Sequence, residues 1–242
     1  MAANAGACFA LPLPTLQTRS MRTWVKICGI TRLEDARAAF DAGADAIGIN
    51  FCSWSKRCCD PEQARAIVAA LPRRSRVYGV FGRTTRQEIE RIVSKVGLTG
   101  VQLHGEEPVE DAQGWSLPVL RAVGASSRDV LREALECAQD HRVLIDNAAG
   151  GGSGRLIDPA LLEGLDLSKA VIAGGLTPAN VAGIVARLAP FGVDTAGGVE
   201  TAPGIKDARL VDEFVQSARP HQAASTAAGE AAGDGAAAKP GS

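Results

Sequence analysis

Nowhere in these 242 residues is there a run of the roughly 18 apolar residues that a membrane-spanning helix needs. An excess of either charge is lacking too: 26 Lys and Arg stand against 27 Asp and Glu, a formal net charge of −1. The broad basic field that holds nucleic acid is therefore not expected. The six cysteines, Cys8, Cys28, Cys52, Cys58, Cys59 and Cys137, include no Cys-x-x-Cys pair, which removes the usual signature of a zinc site or a redox dithiol. No metal is expected. The N-terminus has no basic start leading into an unbroken apolar stretch; Pro12 and Pro14 interrupt it, and Arg19 is its first positive charge. No secretory leader is read there, so reduced thiols in a cytoplasmic protein are the expectation.

What is present is ordinary for a globular chain, 46% hydrophobic and 22% charged. The ends differ from the middle. Met21 stands just before the first apolar strand pattern, so residues 1–20 read as an extension or a misassigned start. Residues 220–242 are mostly Ala, Gly, Ser and Pro without hydrophobic period, and are expected to be disordered. Between them, residues 21–219 read as one catalytic domain.

Short β-branched runs recur through that domain: WVKICG (24–29), AIGINF (46–51), RVYGVF (76–81), GVQLHG (100–105), LPVLRAV (117–123), RVLIDN (142–147), AVIAGG (170–175) and GVDTAGG (192–198). Most are continuously apolar, as parallel strands covered on both faces should be. Helix signals fill most of the gaps. Thr31 and Glu34 form a capping-box pattern, with Gly43 as a stop. Asp60-Pro61 and Thr177-Pro178 are cap-plus-proline starts. Thr84 is read as the start of a third helix, whose face is Ile89, Ile92, Val93 and Val96. Leu210, Val211, Phe214 and Val215 give the last helix its face. The fourth, around Pro108 to Gly114, is short and weakly signalled. Eight strand–helix units in this length predict an α/β fold of the closed (β/α)₈ barrel type, a TIM barrel. A doubly wound open sheet competes, but it carries its glycine fingerprint in the first turn, whereas here the glycine-rich turns come last.

A packed barrel leaves one working surface, the mouth where strands end. Cys28, Arg57, Gln102, His104, Asp146, Gly174, Gly175, Gly197 and Gly198 all fall at or just beyond strand ends. AGGL (173–176) and AGGVE (196–200) place paired glycines after strands seven and eight, where barrels of this type often hold phosphate and where bare backbone N–H groups can approach an anion. Tight turns alone would also use glycine. Buried cysteine is common as a small core residue, but Cys28 lies at a strand end beside the start of a helix, a position that favours thiolate. Asp146 closes an apolar strand, where a carboxylate is costly unless it faces the open mouth. A helix cap is its plainer reading, although GGSG (151–154) intervenes before the next helix. Arg57 is either a solvated charge or a bidentate partner for a substrate carboxylate. His104 alone reads as an interior hydrogen-bonded histidine.

The ordered motifs VKICGIT (25–31), AGADAIG (42–48), SKR (55–57), VQLHGEE (101–107), LID with GGSG (144–146 and 151–154), IAGGLTPANV (172–181), and GVE with PGIKD (198–200 and 203–207) resemble the phosphoribosylanthranilate isomerase family of tryptophan biosynthesis across residues 24–217. The resemblance implies a cofactor-free Amadori rearrangement of N-(5-phosphoribosyl)anthranilate to 1-(2-carboxyphenylamino)-1-deoxyribulose 5-phosphate. It also implies Cys28 as general base, Asp146 as general acid and Arg57 as the contact for the anthranilate carboxylate. Two places depart from the family. Ala196-Gly197 stands where Ser-Ser is usual, so a phosphate-binding hydroxyl is missing, and the loop NFCSWSKRCC (50–59) lacks the usual aromatic and proline-containing pattern.

The partner expected is a phosphorylated small molecule, with neither nucleic acid nor membrane; monomer and homodimer both stay open. Another sugar-phosphate isomerase on the same scaffold, such as the histidine-pathway enzyme, would show two catalytic aspartates, and a cysteine on strand one argues against it. A phosphate-ligand binding protein without activity is the third reading, and the presence of both Cys28 and Asp146 argues against that.

Overall fold

The structure, a computed structural model, describes residues 22–105, 109–147 and 156–219. The extension, the tail, the Glu-Glu of VQLHGEE and the GGSG segment lie outside the described residues. Eight parallel strands close into a barrel in chain order: β1 (Trp24–Ile27), β2 (Ala46–Asn50), β3 (Val77–Phe81), β4 (Gly100–Leu103), β5 (Val119–Ala125), β6 (Arg142–Asn147), β7 (Ala170–Ile172) and β8 (Gly192–Thr195). The seam is the β1–β8 pair, in which Lys26 stands opposite Asp194 and Ile27 opposite Thr195. All eight expected strands are found; β1, β4, β7 and β8 stop short where the glycine-containing ends of their runs begin, and β5 is displaced to Val119–Ala125.

Among the described residues six α-helices cover the barrel: α1 (Leu33–Asp41), α2 (Pro61–Ala69), α3 (Arg86–Val96), α4 (Arg128–Glu136), α5 (Pro178–Leu188) and α6 (Ala208–Ser217). The cap-plus-proline starts are present as expected. The Asp60 side chain accepts from Glu62 N, and Thr177 forms a capping box with Asn180. The first capping box is not: α1 is preceded by Arg32 without a side-chain cap, and the Thr31 hydroxyl donates instead to Gly204 O at 2.6 Å. A partner far along the chain outcompetes the local one. The cap of α3 is Thr85, one residue later than expected. After β4 and β6 the described residues form single 3₁₀ turns, Val109–Ala112 and Pro159–Leu161, rather than full helices. A two-stranded antiparallel hairpin, β9 (Glu200–Ala202) with β10 (Ile205–Lys206), follows β8 and has no counterpart among the sequence patterns.

Two apolar cores result from the two-residue alternation along each strand. Val25, Ile27, Ile47, Val101, Val143, Ile145 and Val193 face outward and pack with the helices. Trp24, Ala46, Tyr78, Leu120, Leu144 and Val171 fill the barrel floor, and Ala173 joins them from the cleft end. Glycine makes room for the rings there. A β-carbon on Gly100 would lie 2.5 Å from the Tyr78 ring, and one on Gly192 2.6 Å from Trp24 O. The floor is plugged, and the opposite end is open.

Candidate active site

The open end holds a cleft of about 570 Å³, lined by all nine residues singled out in the sequence: Cys28, Arg57, Gln102, His104, Asp146, Gly174, Gly175, Gly197 and Gly198. Cys28 follows β1 and Asp146 lies near the end of β6, so the two reach the cleft from different sides of the ring.

Beneath Cys28 the inward face of β1 carries Lys26, wholly buried, whose Nζ donates to Asp194 Oδ1 at 2.6 Å across the seam. Burial alone would push Lys26 down, but Asp194 and Cys28 beside it more than reverse that and hold its ammonium above the ordinary lysine range. Burial pushes the Cys28 thiol up, and Lys26 opposes that shift; Asp194 adds to it and Lys206 also opposes it. The helix N-terminus expected to favour thiolate is not at hand, because α1 begins only at Leu33. The cations that can do so are Lys26, the larger influence, and Lys206. Gly48 on β2 leaves space for this pair: a β-carbon there would meet Cys28 Sγ at 2.8 Å and Lys26 Nζ at 3.3 Å.

Across the cleft, burial raises Asp146 above the usual carboxylate range, against the lowering effects of the Asn147 N–H and His104. Asn147 N donates to Asp146 Oδ1 at 2.8 Å. His104 Nε2 lies 3.7 Å from Asp146 Oδ2, and its Nδ1 is 2.9 Å from Gln102 Nε2. Gln102 and His104 therefore form one chain leading to the acid. The buried Gln102 Oε1 has no protein partner among the described residues.

Arg57 crosses over Gly29, where a β-carbon would lie 2.4 Å from its Cδ and where the backbone is left-handed (φ 73°). Its Nε and Nη2 donate to Glu200 Oε1 and Oε2 at 2.8 and 2.7 Å. Glu200 also accepts from Lys206 Nζ at 2.7 Å, and that ammonium donates to Cys28 O and Ala196 O at 2.6 and 3.1 Å. Burial would raise Glu200, but Arg57 and Lys206 hold it below the usual carboxylate range. The fork read as a substrate contact is thus already half engaged, which leaves its Nη1–Nη2 edge for a second anion.

The glycine loops lie where the sequence placed them. Gly174 and Gly175 both have left-handed backbones (φ 79° and 66°). A β-carbon on Gly198 would lie 1.9 Å from Leu176 O, so these two loops touch backbone to backbone. Sequence reasoning missed Lys26, Asp194, Glu200 and Lys206. For Lys26 a signal existed, since it lies two residues before Cys28 and so on the same face of the strand. Among the described residues no cluster of His, Cys, Asp or Glu is arranged to hold a metal ion, and no helix is long and apolar enough to cross a membrane.

Residues 25–217 match the family model described as N-(5'-phosphoribosyl)anthranilate (PRA) isomerase. The chain belongs to this family. The N-(5'-phosphoribosyl)anthranilate isomerase of Myxococcus xanthus is 43% identical over 206 residues, covering 82% of this chain and 97% of that protein. A solved phosphoribosyl anthranilate isomerase from Thermus thermophilus is 36% identical with a TM-score of 0.74, covering 81% of this chain and 98% of that one. Another, solved in complex with reduced 1-(o-carboxyphenylamino)-1-deoxyribulose 5-phosphate, is 38% identical with a TM-score of 0.70 and the same coverage. The phosphoribosylanthranilate isomerase family thus accounts for the barrel and for the ordered motifs that line its mouth.

Proposed function

We infer that the chain is a phosphoribosylanthranilate isomerase, converting N-(5-phosphoribosyl)anthranilate to 1-(2-carboxyphenylamino)-1-deoxyribulose 5-phosphate in tryptophan biosynthesis. The observation that carries the site assignment is the convergence of Cys28 and Asp146 on one cleft bounded by the glycine loops after β7 and β8.

The chemistry asks for one acid and one base. Asp146, whose carboxyl burial pushes upward and so makes a better proton donor, delivers a proton to the ribose ring oxygen; the C1–O bond breaks and the anilino nitrogen's lone pair forms the iminium. Cys28, as thiolate beside Lys26, removes the proton from C2 to give the enolamine. Protonation at C1 and loss of the 2-hydroxyl proton then give the ketone. No electrons leave the substrate, and the proton count closes when the thiol's proton returns through solvent to Asp146. The N–H groups of the glycine loops take the phosphate, and the second edge of Arg57 takes the carboxylate. Gln102 and His104 steady the acid and meet the sugar. The site needs no cofactor or metal for these steps. This reading places the enzyme in the cytoplasm, where cysteines stay reduced. Either a monomer or a homodimer accommodates this cleft.

The test is direct turnover of N-(5-phosphoribosyl)anthranilate by purified protein, followed by loss of the substrate's fluorescence. Turnover of the histidine-pathway aminoaldose instead, or binding of the substrate without turnover, would replace this reading with one of its rivals.

A further inference from the structure

Trp54 is exposed over 61% of its surface and lines the cleft, an unusual setting for the largest apolar side chain. It sits in the loop from β2 to α2, where the sequence departs from the family, and that loop is firmly bonded to itself. Cys52 N donates to Asn50 Oδ1 at 2.7 Å, Ser55 N to Cys52 O at 2.9 Å and Cys59 N to Asn50 O at 2.8 Å. The indole rests on the end of β3: a β-carbon on Gly82 would lie 3.1 Å from Trp54 Cζ2, and the Arg83 guanidinium stands 5.9 Å from the ring centroid. In the closed order of eight strands, β3 is four strands from β7 and thus diametrically opposite the Gly174–Gly175 loop. The cleft is therefore polarised, with glycine backbone on the β7–β8 side and, on the β2–β3 side, Trp54, Cys52 and Val80 set among the polar Asn50, Ser55 and Lys56. The inferred substrate has the same polarity, with phosphate at one end and an aryl amine at the other.

We propose that Trp54 stacks on the aryl group of the substrate and sets the preference for aryl-amine sugar phosphates over bare ones. The assignment rests on the isomerase reading given above. A phosphate seated at β7–β8 places the reacting carbons between Cys28 and Asp146 and directs the ring at nitrogen toward β3. Offset or edge-to-face aromatic contacts add about 0.5–1.5 kcal/mol beyond area burial, or roughly twofold to tenfold in affinity.

The experiment measures turnover and inhibition for Trp54→Ala and Trp54→Phe beside the unaltered protein. Two inhibitors are compared: reduced 1-(2-carboxyphenylamino)-1-deoxyribulose 5-phosphate, which carries the ring, and ribulose 5-phosphate, which does not. Expected is a loss of several-fold to about tenfold for the aryl ligand in Trp54→Ala, largely restored in Trp54→Phe, with ribulose 5-phosphate binding unchanged. The aryl ligand should also quench indole emission in the unaltered protein more than in Trp54→Phe. Equal weakening of both ligands would assign Trp54 a loop-holding role, and unchanged binding of both would remove it from the site; either overturns the proposal. Absence of turnover in the unaltered protein would instead strike the isomerase reading itself.

Discussion

Cys28 and Asp146 both sit where burial works against ionisation, and only one of them needs to ionise. For Asp146 the shift suits the role proposed above, because a general acid must hold its proton. Asp146→Asn and Cys28→Ala should each lower kcat by at least about a hundredfold, the size typical of losing a positioned acid or base, as read by steady-state kinetics. Asp146→Asn carries a second signature. Its folded pKa lies above the unfolded value, so the stability tied to the neutral carboxyl is present at acid pH and is lost as pH rises through the folded value. An amide stays neutral throughout. The variant should therefore unfold at a higher temperature than the unaltered protein at neutral pH, with the difference closing as pH falls until both are uncharged. For Cys28 the shift hinders, and Lys26 opposes it most, ahead of Lys206. Lys26→Met should move the thiolate absorbance titration of Cys28, taken as the difference from Cys28→Ala, to higher pH. It should also cost about 3–5 kcal/mol in denaturant unfolding, because Asp194 is left buried and unpaired, and adding Asp194→Asn should recover most of that loss.

At the scale of elements, the loops after β7 and β8 meet so closely that Gly198 admits no side chain. At Gly197, by contrast, a β-carbon would meet only Arg57 Nη2 at 3.1 Å and Glu200 Oε2 at 3.8 Å. A small displacement of the guanidinium accommodates a serine. Gly197→Ser should then lower KM, by about tenfold where its hydroxyl reaches the phosphate, with little change in kcat, since phosphate is held alike in ground and transition states. An unchanged KM would mean that backbone donors already satisfy the anion. These loops also show what sequence patterns convey. Glycine pairs, cap-plus-proline starts and apolar runs are local, and the strands and the nine cleft residues follow from them. Thr31 misleads as a cap because its hydroxyl answers Gly204 from 173 positions away. Lys26 and Asp194 hide inside apolar strands, since only barrel closure puts them in register. Arg57 is legible as a cleft residue but not as Glu200's partner: Pro203-Gly204 marks a turn, but nothing local says that Glu200 beside it meets a side chain 143 positions away.

For the molecule as a whole, the domain reading of residues 21–219 turns on Arg219. Its Nε donates to Thr23 O at 3.2 Å, its Nη1 to Gly43 O at 2.7 Å, and its Nη2 pairs with Asp45, so it ties the end of α6 to the start of β1 and the turn before β2. A chain of residues 21–219 should melt within a few degrees of the full chain and keep its turnover. One ending at Ala218 should melt lower, by thermal unfolding followed with circular dichroism.

The seam between β1 and β8 has a further consequence, for synthesis. Lys26 and Asp194 are 168 positions apart, so the ion pair under Cys28 closes nearly the longest loop the barrel contains. On the ribosome the thiol emerges with the first strand, long before the carboxylate that completes its surroundings has been translated. A nascent or truncated chain therefore carries the proposed base without the chamber that directs it, and activity becomes a reporter of a finished molecule.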